Sequence, residues 1–227
     1  MNRVNNLAGT DMEEGSRASK VAAQIRNKLI EGEFRPGEKL SEQQVAQAFS
    51  ISRNTLREVF RLLTSQGLLV HVPNRGVFVA SPDEAAIIDL YRVRSIIQRG
   101  AIEAATKTHP ALAKMRLLVD EAKCAAAAGD WPRVGTINMA FHRTMVELCD
   151  SQRLNDWFEL VLAELRLVFG HLGDGAHLHE PYIAMNEALV TTLEKGDIAG
   201  ALDQLGTYLT KSERGIHAAL HRTRHRT

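Results

Sequence analysis

"SISRNTLREVFRLLTSQGLLVHVPNRGVFV", residues 50–79, reads as a serine-started helix running into two short apolar strands divided by Asn74-Arg75-Gly76. Leu56, Val59, Phe60 and Leu63 recur at the spacing of one helix face, with Arg53, Asn54, Arg57, Arg61 and Thr64 on the remainder. Ser52 stands where a helix N-cap belongs, and Gly67 ends the pattern. The strands that follow, around an Asn-Arg-Gly tip tolerant of positive φ, form a hairpin. A helix fits the major groove of B-DNA, and side chains in its first turns reach base edges. Arg53, Asn54 and Arg57 occupy those turns, and the hairpin brings Arg75 to a phosphate or a narrow minor groove. On charge alone, a solvated helix face explains these arginines equally well; the neighbouring elements favour the groove.

Upstream, Ser41-Glu42-Gln43-Gln44 has the form of a capping box, opening a short helix to about Phe49. Before it, "FRPGEKL" holds a Pro-Gly turn with short extended flanks, and Val21, Ile25 and Leu29 mark a helix over about Ser19–Glu31. Helix, turn, short helix, helix and hairpin make a winged helix-turn-helix over residues 18–81, preceded by a non-periodic, disordered arm at 1–17.

Beyond Pro82 the strand signals stop. Six helical patterns, about 83–108, 111–128, 131–149, 152–170, 181–195 and 198–217, are separated by short links, which implies antiparallel neighbours in a bundle. The fold class expected is therefore mainly α: a winged helix-turn-helix followed by an all-helical antiparallel bundle at 82–217, with a disordered basic tail at 218–227. Residues 17–81 hold ten Lys/Arg against five Asp/Glu, whereas 82–227 hold seventeen against nineteen. A small basic unit attached to a weakly acidic body fits a local contact with nucleic acid. Cys124 and Cys149 lack metal-ligand spacing and read as reduced, buried fillers; Trp131 and Trp157 read as core, and Asp130 as a helix start. The polar first twenty residues and the absence of a long apolar run argue against secretion and membrane insertion, and so for a cytoplasmic protein.

With its Pro-Gly turn, Leu-Ser-Glu, Ser-Arg-x-x-x-Arg-Glu, Gly-Leu and Asn-Arg-Gly in order, the stretch from Glu33 to Val79 resembles the DNA-binding domain of GntR-family bacterial regulators. By position, the resemblance implies DNA contacts at Gln43, Ser52, Arg53, Asn54, Thr55, Arg57, Asn74, Arg75 and Gly76; Gln43 departs from the frequent arginine. "DLYRVRSIIQRGAIEAA", "FHRTMVEL" and "NEALVTTLEKGDIAGALDQLGTYL" resemble the helical FCD domain of the FadR subgroup. That implies dimerisation and an effector pocket, often for a carboxylate-bearing metabolite.

Many members of that subgroup hold a divalent metal with one aspartate and three histidines. The corresponding positions here are Asn138, His142, Asn186 and Tyr208, of which only His142 is retained. Two neutral amides and a phenol lack the charge and imidazoles such ions favour, so no metal and no cofactor is expected. These side chains, with Arg94 and Arg166 as candidate carboxylate partners, become the expected effector-binding set. Structural polar residues tied into the bundle are the plainer reading of Arg94 and His142. His171, His177 and His179 lie in a Gly/His-rich stretch that reads as an exposed loop without a ligand pattern. No phosphate loop, nucleophile elbow or paired carboxylate frame is present, which speaks against an enzyme. The expected function is a homodimeric, ligand-responsive repressor that binds a double-stranded operator; the alternative is a DNA-binding regulator whose degenerate body binds no effector.

Overall fold

Apolar residues at helical spacing place Ala18, Val21, Ala22, Ile25 and Leu29 on one buried face of α1, which runs Val4–Glu31. The computed structural model describes residues 4–172 and 176–224, with side chains from Arg17 onward except at 171, 176, 177 and 222–224. The stretch expected as a disordered arm is thus helical from Val4. Once a packed segment has nucleated the helix, each added residue contributes a backbone hydrogen bond at little further cost, and residues 4–17 contain no proline to stop it. Two units follow from the contacts, Met1–Ser81 and Pro82–Thr227.

In the first unit α2 (Glu42–Ala48) and α3 (Arg53–Ser65) are each started by a serine. Ser41 Oγ accepts from Gln44 N, and Ser52 Oγ accepts from Thr55 N at 3.1 Å. Leu56, Val59, Phe60 and Leu63 are all buried, and α3 packs on α1 through this stripe. Gly67 (φ 72) ends α3: its N–H bonds to Thr64 O while Leu68 N bonds to Leu63 O, the double closure that requires a left-handed residue. At the end of α2 a serine performs the same task. Ser50 (φ 50) receives a 2.7 Å hydrogen bond on its carbonyl from Arg17 Nη2, so α1 holds the turn between the two helices.

The hairpin is one edge of a three-stranded sheet. Strands β2 (Leu69–Val72) and β3 (Gly76–Val79) pair antiparallel, and β1 (Lys39–Leu40) adds to the other side of β3 with Lys39 opposite Phe78. The extended flank of the Pro-Gly turn thus becomes a strand.

The second unit contains α4 (Glu84–Glu103), α5 (Pro110–Ala127), α6 (Trp131–Glu147), α7 (Gln152–Leu172), α8 (Ala176–Lys195) and α9 (Ile198–Arg224). Asp83, His109 and Asp130 cap α4, α5 and α6 through their side chains. Helix α6 is central, packed by α4, α5, α7 and α8. Four sequence expectations change here. Helix α8 begins at Ala176, ahead of Pro181, so the Gly/His-rich stretch is largely helical. The tail from 218 continues α9 to Arg224, because Ile216 and Ala219 prolong its buried stripe. Cys124 is exposed, Cys149 is half-buried and Trp157 is 58 % exposed; Phe158, rotated about 100° around α7, takes the core position instead. No helix among the described residues is long and apolar enough to cross a membrane.

Candidate functional site

Two places gather chemistry, one exposed and one buried. On the first unit Arg53, Asn54 and Arg57 stand exposed along the opening turns of α3, with Arg61 one turn further. Gln43 is exposed on α2. Ser52 is exposed, but its hydroxyl is engaged in the cap and lies 2.8 Å from Thr55 Oγ1. Thr55 leaves the expected set, since it is 3 % exposed and its side chain turns inward toward Ser52.

At the wing tip Asn74 (φ 62) and Gly76 (φ 107) make the turn, leaving Asn74 and Arg75 exposed. The Arg75 guanidinium lies 5.7 Å from the Phe78 ring centre. A Cβ on Gly76 would sit 3.3 Å from Lys39 Cε, which shows how closely β1 brings Lys39 to the wing. Sequence reasoning missed Lys39 and Arg17; the only available signal for Lys39 was its position in an extended flank.

On the second unit, four helices bring together the positions the resemblance had grouped. His142 Nδ1 accepts from Gln98 Nε2 at 2.7 Å, an amide nitrogen that also points at Met145 Sδ at 3.6 Å. The ring therefore carries its proton on Nε2, which donates to Tyr208 Oη at 2.8 Å. Tyr208 in turn donates to Asn138 Oδ1 at 3.1 Å, and Asn186 Nδ2 donates to the same oxygen at 2.8 Å. Burial, then the nearby charge of Arg94, holds His142 well below the ordinary imidazole range, so it is neutral. Burial raises the Tyr208 phenol far above its usual value, so it keeps its proton.

Arg94 is 1 % exposed on α4, with its guanidinium 4.8 Å from the centre of the Tyr91 ring. Neither Nε nor Nη1 has a hydrogen-bond partner, and no carboxylate among the described residues pairs with it. Arg166 belongs to a different corner. A Cβ at Gly135 of α6 would lie 2.7 Å from Arg166 Nη1 and 3.0 Å from His179 Cε1, so this glycine admits both side chains against the central helix. His179 is 1 % exposed, buried against Phe169, not part of an open loop. Pro181, read as a helix start, lies inside α8, and that misreading put His179 outside. His171 and His177 carry side chains outside the described residues. Beside this corner, Asn138, His179 and Asn186 line a void of about 10 Å³, room for one water.

A divalent ion does not suit Asn138, His142, Asn186 and Tyr208. They offer one imidazole and no carboxylate, the imidazole Nε2 and the Asn138 oxygen are already engaged with each other's neighbours, and the Arg94 charge opposes a cation.

The profile of "Bacterial regulatory proteins, gntR family" matches residues 17–79, and that of the FCD domain matches residues 89–211. The chain belongs to the GntR family. Its FCD-type second domain places it with the FadR-like regulators. A solved structure of a GntR regulator from Rhodococcus sp. RHA1 is 35 % identical with a TM-score of 0.81, over 90 % of this chain and 99 % of that one. The Nta operon transcriptional regulator of Aminobacter aminovorans is 30 % identical over 53 % of this chain and 58 % of its own. The gluconate operon transcriptional repressor of Bacillus subtilis is 24 % identical over 61 % of this chain and 58 % of its own. Escherichia coli McbR/YncC shares the fold at 19 % identity and a TM-score of 0.78. This GntR-family chain is accordingly a DNA-binding transcriptional regulator and not an enzyme.

Proposed function

We propose that this regulator is a homodimeric repressor whose affinity for its operator is set by a small carboxylate-bearing effector held in the helical unit without a metal. The observation that carries the effector reading is Arg94: a guanidinium withdrawn from water, with Nε and Nη1 unpartnered and, among the described residues, no carboxylate paired with it. Leaving such a charge buried costs several kcal/mol unless an anion or hydrogen-bond acceptor offsets it. An effector carboxylate supplies both. Effector binding then alters operator affinity by a coupling free energy of about 1–3 kcal/mol.

On the first unit, Arg53, Asn54 and Arg57 contact base edges in the major groove. Gln43 and Ser52 lie against phosphates, and Arg75 with Lys39 flanks the duplex at the wing. Repression is favoured by relatives that carry the word repressor in their names. A second copy is favoured by Ile96, 74 % exposed on α4, and Trp157 on α7, large apolar side chains on two helices that pack together. Its place of action is the cytoplasm, where the operator is.

A second reading keeps the DNA-binding role and gives the body no effector. It is favoured by the closed hydrogen-bond chain through His142 and by a void no larger than one water. Thermal unfolding in the presence of a panel of small organic acids separates the two, because a ligand that binds the folded state raises its Tm. A rise that disappears in Arg94→Met supports the effector reading; no rise with any acid supports the other. Nuclease protection of an operator selected from random DNA tests the shared part, and protection unchanged in Arg53→Ala and Arg57→Ala would overturn it.

A further inference from the structure

Arg57, Arg61 and Thr64 follow one another on α3 at i, i+4 and i+7, which sets their side chains on one exposed face. Together they rim a concavity of about 640 Å³ between α3 and the sheet, with His71 of β2 on the far side. Its floor is apolar, formed by the buried Phe60 and Val77. Among the described residues no carboxylate pairs with Arg57 or Arg61. Thr64 adds a hydroxyl, and the His71 imidazole presents an N–H in either protonation state. Ser65 lines the same space, but its hydroxyl already donates to Leu62 O at 2.8 Å. Glu42, at the start of α2, is the one acid among the described lining residues, so the hollow is positive on balance.

A single sugar–phosphate strand separates the major groove from the minor groove. With α3 in the first and the wing tip beside the second, that strand has to cross the surface between helix and hairpin, which is where the hollow lies. One liquid water takes about 30 Å³, so the space admits a stretch of backbone and not only a bridging solvent molecule. Arg61 also stands away from the reading turns. It comes eight residues after Arg53, about 12 Å of helix rise, which is about the width of the groove. Where Arg53 meets base edges, Arg61 therefore reaches the phosphates that bound them.

We infer that Arg61, supported by Thr64 and His71, holds a backbone phosphate of the strand that runs between the two grooves. This rests on the placement of α3 and the wing proposed above, and it adds a contact outside the set that the family resemblance implied. The contact is to charge and not to sequence, so it strengthens binding to every duplex alike.

The full chain is titrated with an operator selected from random DNA and with an unrelated duplex, at a series of salt concentrations. Arg61→Gln should weaken both by the same factor, about fivefold to tenfold per bound reading head at about 0.1 M salt. The plot of log affinity against log salt should become shallower by about 0.9 per head. Arg61→Lys should keep the wild-type slope, because a phosphate accepts a point charge whereas a bidentate base contact does not. Single methylphosphonate linkages, each removing one phosphate charge, are then scanned along the operator. One such linkage in each half-site should weaken the wild type and leave Arg61→Gln unaffected. If Arg61→Gln leaves the salt dependence unchanged, if Arg61→Lys fails to restore it, or if no linkage shows that non-additivity, the inference fails while the reading head stands. If Arg61→Gln loses the operator but not the unrelated duplex, Arg61 reads a base and the inference fails. If Arg53→Ala with Arg57→Ala leaves the operator bound as before, the groove placement itself fails, whatever Arg61 does.

Discussion

The first unit exposes its chemistry, whereas the second encloses it. Arg53, Arg57 and Arg75 stand in solvent, where a charge needs no fixed partner and its field reaches an anion over the screening length. Arg94, His142 and Tyr208 are enclosed, so every polar atom must find its complement or destabilise the fold. On the proposed function, the same residue type, arginine, serves affinity in one unit at almost no cost to stability, and in the other it couples stability to occupancy. Variants of the exposed set should change binding alone, and variants of the buried set should change stability first.

The largest expected effect tests the first half of that contrast. Arg53→Ala combined with Arg57→Ala should weaken specific operator binding by about 100-fold or more, each lost base contact being worth about 1–3 kcal/mol. Urea denaturation of the same variant should be unchanged. A double variant that loses stability as well as binding would break the comparison.

His142→Leu probes the opposite side and should cost about 2–4 kcal/mol in urea denaturation, since Gln98 Nε2 and Tyr208 Oη each lose their partner. Its effect on DNA should be small beside its effect on stability.

A smaller effect appears with pH. His142 is neutral when folded and titrates normally, near 6.5, when unfolded. The unfolded chain thus binds the extra proton, so this stability is present above about pH 6.5 and lost as pH falls toward the depressed folded value. Between pH 7.5 and 5.5 the wild type should lose stability, on the order of 1 kcal/mol, and His142→Gln should lack this loss, read as the difference between their stability profiles.

The smallest effect sharpens the comparison within the first unit. Ser50→Gly removes a side chain from a left-handed position and should stabilise by about 0.5–1 kcal/mol, with the Arg17 bond to the Ser50 carbonyl kept. A loss of stability instead would mean that the serine side chain supports the turn.

Legibility followed the same division. The reading head lies within one short run of residues because caps, stops and a hairpin tip are local devices: Ser52 bonds three residues on, and Gly67 closes onto the helix it ends. Thr55 was misread since its identity fits the motif while its place on the helix turns it inward. In the body, Asn138, His142, Asn186 and Tyr208 were gathered by resemblance to a family, since partners 66 and 70 residues apart leave no local trace. Gln98, Lys39 and Arg17 were not singled out at all. Pro181 illustrates the limit from the other side: it resembles a helix start and instead lies within α8, which hid the burial of His179.

Sequence alone determined where helices α2 to α7 begin, which face of α3 stays wet, and that two units of unlike charge follow one another, because each depends on residues within a turn or two of one another. Only the tertiary structure decided which buried polar side chains meet and which are left unmatched. A hydrogen bond across helices depends on their relative rotation and separation to within about half an ångström, and periodicity along one chain carries no information at that scale.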